Sequence, residues 1–314
     1  MHVEFTASLS VCHRGYHWHD RGTKLFADLT DENKELSRWV LRDGVLGESD
    51  FAEGVENEDI AYDPFQNTPS LFYDFSLLNT DRDSVLRFAN KYGPLQGNWQ
   101  DCTWYEWVME IELMRNAIDL WEAVKSRKQS ELARHVTWEK SGRLIICSPV
   151  YAEYEPGCID YGNLPPFERT EEDYKFRDYF LPARDLLDWK LSTSPIFTDT
   201  LTQHRHHSGH LIFSLNFATL QESVWAQFSV AVAESKQFRK CEACDKRFEL
   251  SPDKNRADRL FCSDACRVRA YRQRRAKAEE MRNAGMSLRE IAKTVGTDMA
   301  TAKQWLKDIP KGGK

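Results

Sequence analysis

The longest helical pattern in the chain covers residues 104–127. Bulky apolar side chains recur there every three or four positions, at Trp107, Ile111, Met114, Ile118 and Trp121. This spacing places them on one face of a helix. Thr103 and Glu106 stand three residues apart at its start, which is the arrangement of a capping box. The pattern therefore predicts a long helix that begins near Trp104 and buries this face.

Shorter patterns in residues 1–235 predict further helices and a strand. One helix is expected to begin after Asp81, which can cap it, and to end at Gly93-Pro94. Apolar periodicity predicts helices in FRDYFLPARDLLDWKL and NFATLQESVWAQFSVAVAESK, and the run RLIICSPV is typical of a strand. Residues 1–235 are therefore predicted to form a mainly helical α+β domain.

A second periodic region lies near the C terminus. Ser263 is a candidate N-cap for a helix that continues to Gly285, and Ser287 with Glu290 forms a capping box for the next helix. Apolar positions follow on both sides of Gly296: Leu288, Ile291, Ala292, Val295, Met299, Ala302, Trp305 and Leu306. Two short helices joined through a glycine predict a helix-turn-helix in residues 284–314. It is similar to the helix-turn-helix of resolvases and many bacterial regulators.

The net charge of the chain changes sign at about residue 235, from acidic to basic. Residues 236–314 carry 21 Lys and Arg against 11 Asp and Glu, a net charge of +10. Residues 1–235 carry 22 against 38, a net charge of −16. A basic end on an acidic body is typical of a module that binds a polyanion, attached to a domain with another task.

Neither a signal peptide nor a membrane span is expected. Charged and histidine side chains interrupt the first twenty residues, and the chain has no run of about 18 apolar residues. We therefore expect a cytoplasmic protein whose thiols stay reduced. Its eight cysteines need a purpose other than disulfide formation.

Four of the cysteines form two close pairs, Cys241-x2-Cys244 and Cys262-x3-Cys266. Two such pairs separated by a loop supply the four thiolates that a tetrahedral Zn²⁺ ion takes. The first pair lies in a tight turn before a strand-like run, and Cys266 falls in the first turn of the helix capped by Ser263. The layout predicts a small treble-clef zinc finger, with its arginine-rich helix, in residues 236–283. The other cysteines show no pairing and are expected to be core thiols: Cys12, Cys102, Cys147 and Cys158.

The segment RKCEACDKRFELSPDKNRADRLFCSDACRVRAYRQRR resembles the zinc finger of bacterial proteins named for a Cys-Gly-Asn-Arg signature (CGNR-like). The signature reads Cys266-Arg267-Val268-Arg269 in this chain, so its first and last positions match. That group is often associated with transcription regulation. The resemblance therefore implies a zinc-dependent DNA-binding regulator.

Two sets of residues are predicted to contact nucleic acid. The first consists of arginines on the helix after Cys266, which suit bidentate phosphate contacts: Arg267, Arg269, Arg272, Arg274 and Arg275. The second lies outside the apolar set of the last helix, residues 298–307: Thr301, Lys303, Gln304 and Lys307. We expect DNA rather than RNA as the ligand and a homodimer as the binding form. The N-terminal domain is then expected to sense a small molecule or to recruit a protein partner.

An enzymatic alternative rests on the histidines. They cluster in HRGYHWHD (His13, His17, His19) and in HRHHSGH (His204, His206, His207, His210), either as solvated loops or as a second metal site. Arg205 and His210 resemble the catalytic pair of the HEPN class of ribonucleases. In that class both residues lie on a helix, and Ser208-Gly209 would interrupt it here. The alternative function is therefore a nuclease, such as a toxin or defence protein, that its basic tail directs to nucleic acid.

Overall fold

The computed structural model describes residues 2–7, 9–11, 16–19, 45–48, 60–96, 103–138, 140, 144–146, 175, 177–192, 201–205, 211–250 and 258–307. The chain divides into two compact units, Met1–Ser235 (unit 1) and Lys236–Lys314 (unit 2). Most of the described secondary structure is helical, which confirms the prediction of a mainly α protein.

Unit 1 combines helices with short strands. Its described helices are α1 (Pro64–Asn67), α2 (Leu71–Ser76), α3 (Arg82–Tyr92), α4 (Trp104–Ser126), α5 (Gln129–Leu132), α6 (Phe180–Ser192) and α7 (Leu220–Ala233). Its described strands are β1 (His2–Ala7), β2 (Leu9–Val11), β3 (Tyr16–His19), β4 (Val45–Glu48), β5 (Ile60–Tyr62), β6 (Val136–Trp138), β7 (Leu144–Ile146), β8 (Leu201–Arg205) and β9 (Leu211–Phe217). Helices α6 and α7 and strand β7 lie in the segments predicted for them.

The strands of unit 1 form one three-stranded sheet and several pairs. Strand β9 lies between β1, to which it is parallel, and β8, to which it is antiparallel. The remaining described strands pair two by two and antiparallel, β2 with β5, β3 with β4 and β6 with β7. Because β1 and β9 are parallel and far apart in sequence, the chain between them must cross over to join them.

Helix α4 has the start and the buried face that the sequence predicted. The Glu106 N–H donates to the Thr103 hydroxyl at 3.2 Å, and the Thr103 N–H donates to the Glu106 carboxylate at 2.6 Å. The capping box is therefore formed. All the predicted core positions are buried: Trp107, Ile111, Met114, Ile118 and Trp121. This face packs against α2, α6 and α7.

The helix predicted after Asp81 is also confirmed. The Asp81 carboxylate accepts the Ser84 N–H at 2.8 Å and so caps the start of α3. The helix ends at Gly93, whose φ of 90° is one that side chains with a Cβ rarely adopt.

Two buried polar side chains of α7 join it to other parts of unit 1. The side chain of Gln227 accepts the Leu71 N–H at 3.0 Å and donates to the carbonyls of Pro64 and Thr68 at 2.9 and 3.0 Å. It thus adds a side-chain partner to three backbone groups of α1, α2 and the turn between them, which are also linked locally by the Thr68 N–H to the Pro64 carbonyl and the Leu71 N–H to the Thr68 carbonyl. Trp225 donates its indole N–H to the Glu110 carboxylate on α4.

Unit 2 consists of a hairpin followed by three helices. The hairpin strands are β10 (Gln237–Lys240) and β11 (Arg247–Leu250), and the helices are α8 (Asp264–Asn283), α9 (Leu288–Val295) and α10 (Met299–Trp305). Helix α8 packs against both α9 and α10, and these two pack against each other. The long helix therefore connects the hairpin end of the unit to the helix pair.

The helix ends of unit 2 are set by local hydrogen bonds at the predicted positions. The Ser287–Glu290 capping box is formed at the start of α9. At the end of α8, the Gly285 N–H donates to the Arg282 carbonyl and the Met286 N–H to the Met281 carbonyl. This is a Schellman motif, and Gly285 adopts the left-handed φ of 80° that the motif requires.

The helix pair and α8 share a small apolar core. Its buried members are Ala278, Ile291, Val295, Trp305 and Leu306. The inclusion of Met299 among the apolar positions of this face is wrong, since Met299 is 47% exposed. The packed face of α10 begins one turn later, at Ala302, which is fully buried.

Candidate metal centre and basic surface

The four paired cysteines converge on one point in unit 2. The sulfur atoms of Cys241, Cys244, Cys262 and Cys266 all lie within 4.8 Å of one another. The Cys262 sulfur is 3.6 Å from that of Cys244 and 3.5 Å from that of Cys266. A tetrahedral ion with metal–sulfur bonds of about 2.3 Å requires sulfur–sulfur distances of about 3.8 Å. The cluster therefore has the dimensions of a four-thiolate metal site.

A tight turn places the first pair of cysteines. The Cys241 N–H donates to the Lys246 carbonyl at 2.8 Å, and the Asp245 N–H donates to the Cys241 carbonyl at 3.0 Å. Asp245 takes a left-handed φ of 62°, which Asp tolerates better than most residues. The turn connects the end of β10 to the start of β11, so both cysteines of this pair lie at the same end of the hairpin.

The second pair is placed by the start of α8 and by an arginine. The Ser263 hydroxyl accepts the Cys266 N–H at 3.2 Å, so Ser263 is the N-cap that the sequence predicted. Arg259 donates to the carbonyls of Phe261, at 2.7 Å, and of Cys262. The Arg259 guanidinium therefore fixes the backbone that carries the Cys262 sulfur.

The thiols differ in their electrostatic environment. Burial raises the pKa of Cys241, but the backbone N–H groups of Cys262, Ala243 and Cys244 outweigh it and lower the pKa to about 6. Burial, followed by the neighbouring thiols of Cys266 and Cys244, raises the pKa of Cys262 to about 12. Four thiolates this close repel one another, so full ionisation of the set requires a cation among them.

The cluster is shielded on the protein side by an apolar shell. Cys241 is fully buried and Cys266 is 7% exposed, and both pack with Phe248. Phe261 and Leu250 add further apolar contacts. Four sulfur donors leave no coordination position for a reacting water molecule, which is typical of structural rather than catalytic metal sites.

The five arginines predicted to contact nucleic acid have different surroundings. Arg274 lies over the Phe261 ring, with 5.9 Å between its guanidinium carbon and the ring centroid. Arg267 pairs with Asp264 at 3.2 Å and Arg275 with Glu279 at 3.0 Å. Arg269 and Arg272 are exposed, and among the described residues they form no ion pair. Their guanidinium groups are therefore available to a phosphate without the loss of an ion pair to a described residue.

The residues predicted to contact nucleic acid from the last helix also differ in their exposure. Lys303, Gln304 and Lys307 are exposed. Thr301 is only half exposed, and its hydroxyl donates to the Asp298 carboxylate at 2.7 Å. Because Asp298 is the N-cap of α10, Thr301 serves the start of the helix. The accessible part of the predicted set is therefore the two lysines and the glutamine.

The residues of the ribonuclease alternative are not on a helix as far as the structure describes them. Arg205 is the last residue of strand β8. His210, His13, His206 and His207 lie outside the described residues. His17 and His19 belong to strand β3 and His204 to strand β8. The four cysteines expected to be core thiols also lie outside the described residues.

Three titratable groups of unit 1, the buried Glu110 and His135 and the partly buried Lys190, have shifted pKa values that the sequence did not indicate. Burial raises the pKa of Glu110, whose carboxylate receives hydrogen bonds from Trp225 and Gln221. Burial lowers the pKa of His135 to about 4 and that of Lys190 to about 8. Glu110 does lie beside Trp107 and Met114 on the predicted apolar face of α4, but its partners Trp225 and Gln221 come from a distant part of the chain.

The chain matches no known family model, and neither curated proteins nor solved structures show significant similarity to it. None of the helices that the structure describes has the length and apolar character needed to cross a bilayer. The cysteine cluster and the charged surface around it are therefore the features that point to a function.

Proposed function

We propose that unit 2 is a zinc-organised nucleic-acid-binding module and that the protein is a DNA-binding transcription regulator. The observation that carries the proposal is the four-cysteine cluster at the start of a helix that displays Arg269 and Arg272. The net charge of +10 on residues 236–314 favours a polyanionic ligand. The resemblance of this segment to the CGNR-like zinc finger supports the same interpretation.

Zinc is the proposed metal because the donor set is four cysteines. Thiolates are soft ligands that select Zn²⁺ over Mg²⁺ or Ca²⁺. A hairpin that carries one pair and a helix that carries the other is the layout of a treble-clef finger. Reduced thiols are needed to bind the ion, so a cytoplasmic location fits the site.

Helices α9 and α10 are proposed to act as a helix-turn-helix. The supporting features are the left-handed Gly296 between them, with φ 65°, and the small buried residues Ala292 and Ala302. In such modules the second helix lies in the major groove. Helix α10 would then direct Lys303 and Gln304 toward the DNA, with Lys307 just after its end.

Unit 1 is proposed to supply the regulatory input. Its net charge of −16 disfavours direct contact with nucleic acid. We assign it recognition of a small molecule or a protein partner. A homodimer would present two copies of unit 2 to the half-sites of a symmetric operator.

A binding assay with the purified full-length chain tests this proposal. We expect the zinc-loaded protein to bind duplex DNA with an affinity that falls steeply as salt rises, because phosphate contacts release counterions. Replacement of both Arg269 and Arg272 by Gln should reduce the slope of log K against log[salt] by about 1.8, since each phosphate that an arginine neutralises contributes roughly 0.9 to the slope.

The matched control removes the same charge from unit 1. Arg134 and Lys140 are both exposed, and their joint replacement by Gln should leave the salt slope unchanged. An absence of salt-sensitive binding to duplex DNA or RNA by the zinc-loaded protein would refute the proposal. Preferential binding of RNA would retain the module but exclude the DNA regulator.

A further inference from the structure

The outward face of α10 contains one large apolar side chain among polar ones. Its exposed members are Met299, Ala300, Lys303 and Gln304, and the exposed Lys307 follows just after the helix ends at Trp305. Met299 and Lys303 are four residues apart, so their side chains are neighbours on one side of the helix. Met299 keeps 47% of its surface exposed.

Met299 is not a member of the apolar core of the helix pair. The apolar core of the helix pair is built from other residues, and the start of α10 is capped by Asp298 through the Thr301 N–H at 2.8 Å. Its exposed position therefore leaves a flexible apolar side chain available to a ligand. The neighbouring Ala300 is small, which allows a ligand surface to approach the helix closely.

The charge of this face identifies the kind of ligand. Residues 299–307 contain two lysines and no acidic residue. The carboxylate of Asp298, just before the helix, accepts hydrogen bonds from the backbone N–H and the hydroxyl of Thr301. An apolar contact flanked by positive charge is complementary to the major groove of DNA, where the thymine methyl group is the apolar feature and the phosphates lie on either side.

We propose that Met299 is a specificity-determining residue that contacts the C5-methyl group of a thymine when α10 lies in the major groove. This inference rests on the proposed DNA-binding function. Gln304 and Lys303 on the same face have the donors and acceptors to read a neighbouring adenine or guanine. Met299 thereby adds selectivity for the thymine methyl group, which the lysines alone do not provide.

The test begins with a library of duplexes that have a random central region. The sequence enriched by the full-length zinc-loaded protein is resynthesised with each thymine replaced in turn by deoxyuridine, which lacks only the methyl group. At one position the replacement should weaken binding of the wild-type protein about fourfold, the effect of leaving one methyl-sized group unburied. In M299A the affinity for the thymine site should already be reduced to this level, and the replacement should have no further effect.

Two further variants separate a thymine contact from a change in folding. Met299→Leu keeps an apolar side chain and should retain the deoxyuridine effect at the same position. Leu260→Ala removes another exposed apolar side chain of unit 2, which is 42% exposed, and should respond to deoxyuridine as the wild type does. Circular dichroism of each variant verifies that helical content is unchanged.

Each outcome bears on the proposal. If no single deoxyuridine weakens wild-type binding more than twofold, or if M299A responds as the wild type does, the thymine contact is excluded while DNA binding stands. Enrichment of no sequence, together with salt-sensitive binding to any duplex, also excludes it and leaves a non-specific DNA-binding module. A complete lack of DNA binding would instead refute the proposed function.

Discussion

The indole N–H of Trp305 donates a hydrogen bond to the Tyr271 hydroxyl at 2.8 Å, and the two rings meet edge-on with 5.3 Å between their centroids. Tyr271 lies on α8, five residues after Cys266, and Trp305 ends α10. The helix that carries Cys266 of the four-cysteine cluster is thus joined directly to the proposed recognition helix. The candidate metal site and the proposed DNA-contacting face are therefore connected through α8 within unit 2.

Loss of the Tyr271 hydroxyl should weaken the contact between α8 and α10. Tyr271→Phe removes the acceptor for the Trp305 indole, and we expect the free energy of unfolding of unit 2 to fall by about 1 kcal/mol, as for a typical hydrogen bond. The Trp305 signal in a ¹⁹F spectrum of protein labelled with 5-fluorotryptophan, assigned with Trp305→Phe, should shift. Tyr179→Phe in unit 1 is the control and should leave that signal in place.

Metal content is the most direct test of the cysteine cluster. Elemental analysis of the wild-type protein should give one zinc ion per chain, and Cys266→Ser should reduce this to well below one because a hydroxyl is a poor zinc ligand. A chelator should also move the Trp305 ¹⁹F signal, since it releases the start of α8. Cys147→Ser, at a cysteine predicted to be an ordinary thiol, should keep full occupancy. Unchanged zinc content in Cys266→Ser would show that the metal is held elsewhere.

Acid should destabilise unit 1 through His135. Burial holds the folded-state pKa of His135 near 4, whereas the pKa in the unfolded chain is about 6.5. Between these values the unfolded state binds a proton that the folded state does not, so the free energy of unfolding falls as pH is lowered. We expect a loss of about 2 kcal/mol between pH 7 and pH 5. Lys190, with a pKa of about 8, stays mainly protonated in this window and adds little to the change.

Urea unfolding at several pH values measures this effect. His135→Phe keeps a ring at the buried position but cannot bind a proton, so its free energy of unfolding should vary with pH by about 2 kcal/mol less than that of the wild type. Equal pH dependence in the two proteins would show that other groups cause the acid sensitivity.

Gln227 should be one of the most sensitive polar positions of unit 1. Gln227→Leu removes three hydrogen bonds to backbone groups, namely the Leu71 N–H and the carbonyls of Pro64 and Thr68. Each group keeps one local bond, because the Thr68 N–H donates to the Pro64 carbonyl and the Leu71 N–H to the Thr68 carbonyl. A typical hydrogen bond contributes about 1 kcal/mol net, so we expect destabilisation of about 3 kcal/mol. Gln66→Leu changes an exposed glutamine of the neighbouring helix α1 and should alter stability by less than about 0.5 kcal/mol. Thermal denaturation of the two variants compares them.

Several features could be predicted from the sequence because they depend on residues close together in the chain. The caps Thr103, Asp81, Ser263 and Ser287 each accept a hydrogen bond from the backbone N–H three residues ahead, so their partners are already present in the local sequence. Gly285 ends α8 for the same local reason. The spacing of the four cysteines likewise predicted their cluster. Two cysteines close together in the chain can bind the same ion, and two such pairs supply its four sulfur ligands.

Burial and exposure required the tertiary structure. Met299 fits the apolar period of its helix, yet it lies beyond the packed contact with α9 and remains exposed. Arg272 and Arg274 belong to the same arginine-rich run, and nothing in the sequence separates their roles. In the structure, Arg274 packs over the ring of Phe261 whereas Arg272 is exposed. The sequence by itself therefore determined where helices begin and end and which thiols can share an ion. Only the assembled fold decided which side chains face a ligand, because that depends on neighbours supplied by distant parts of the chain.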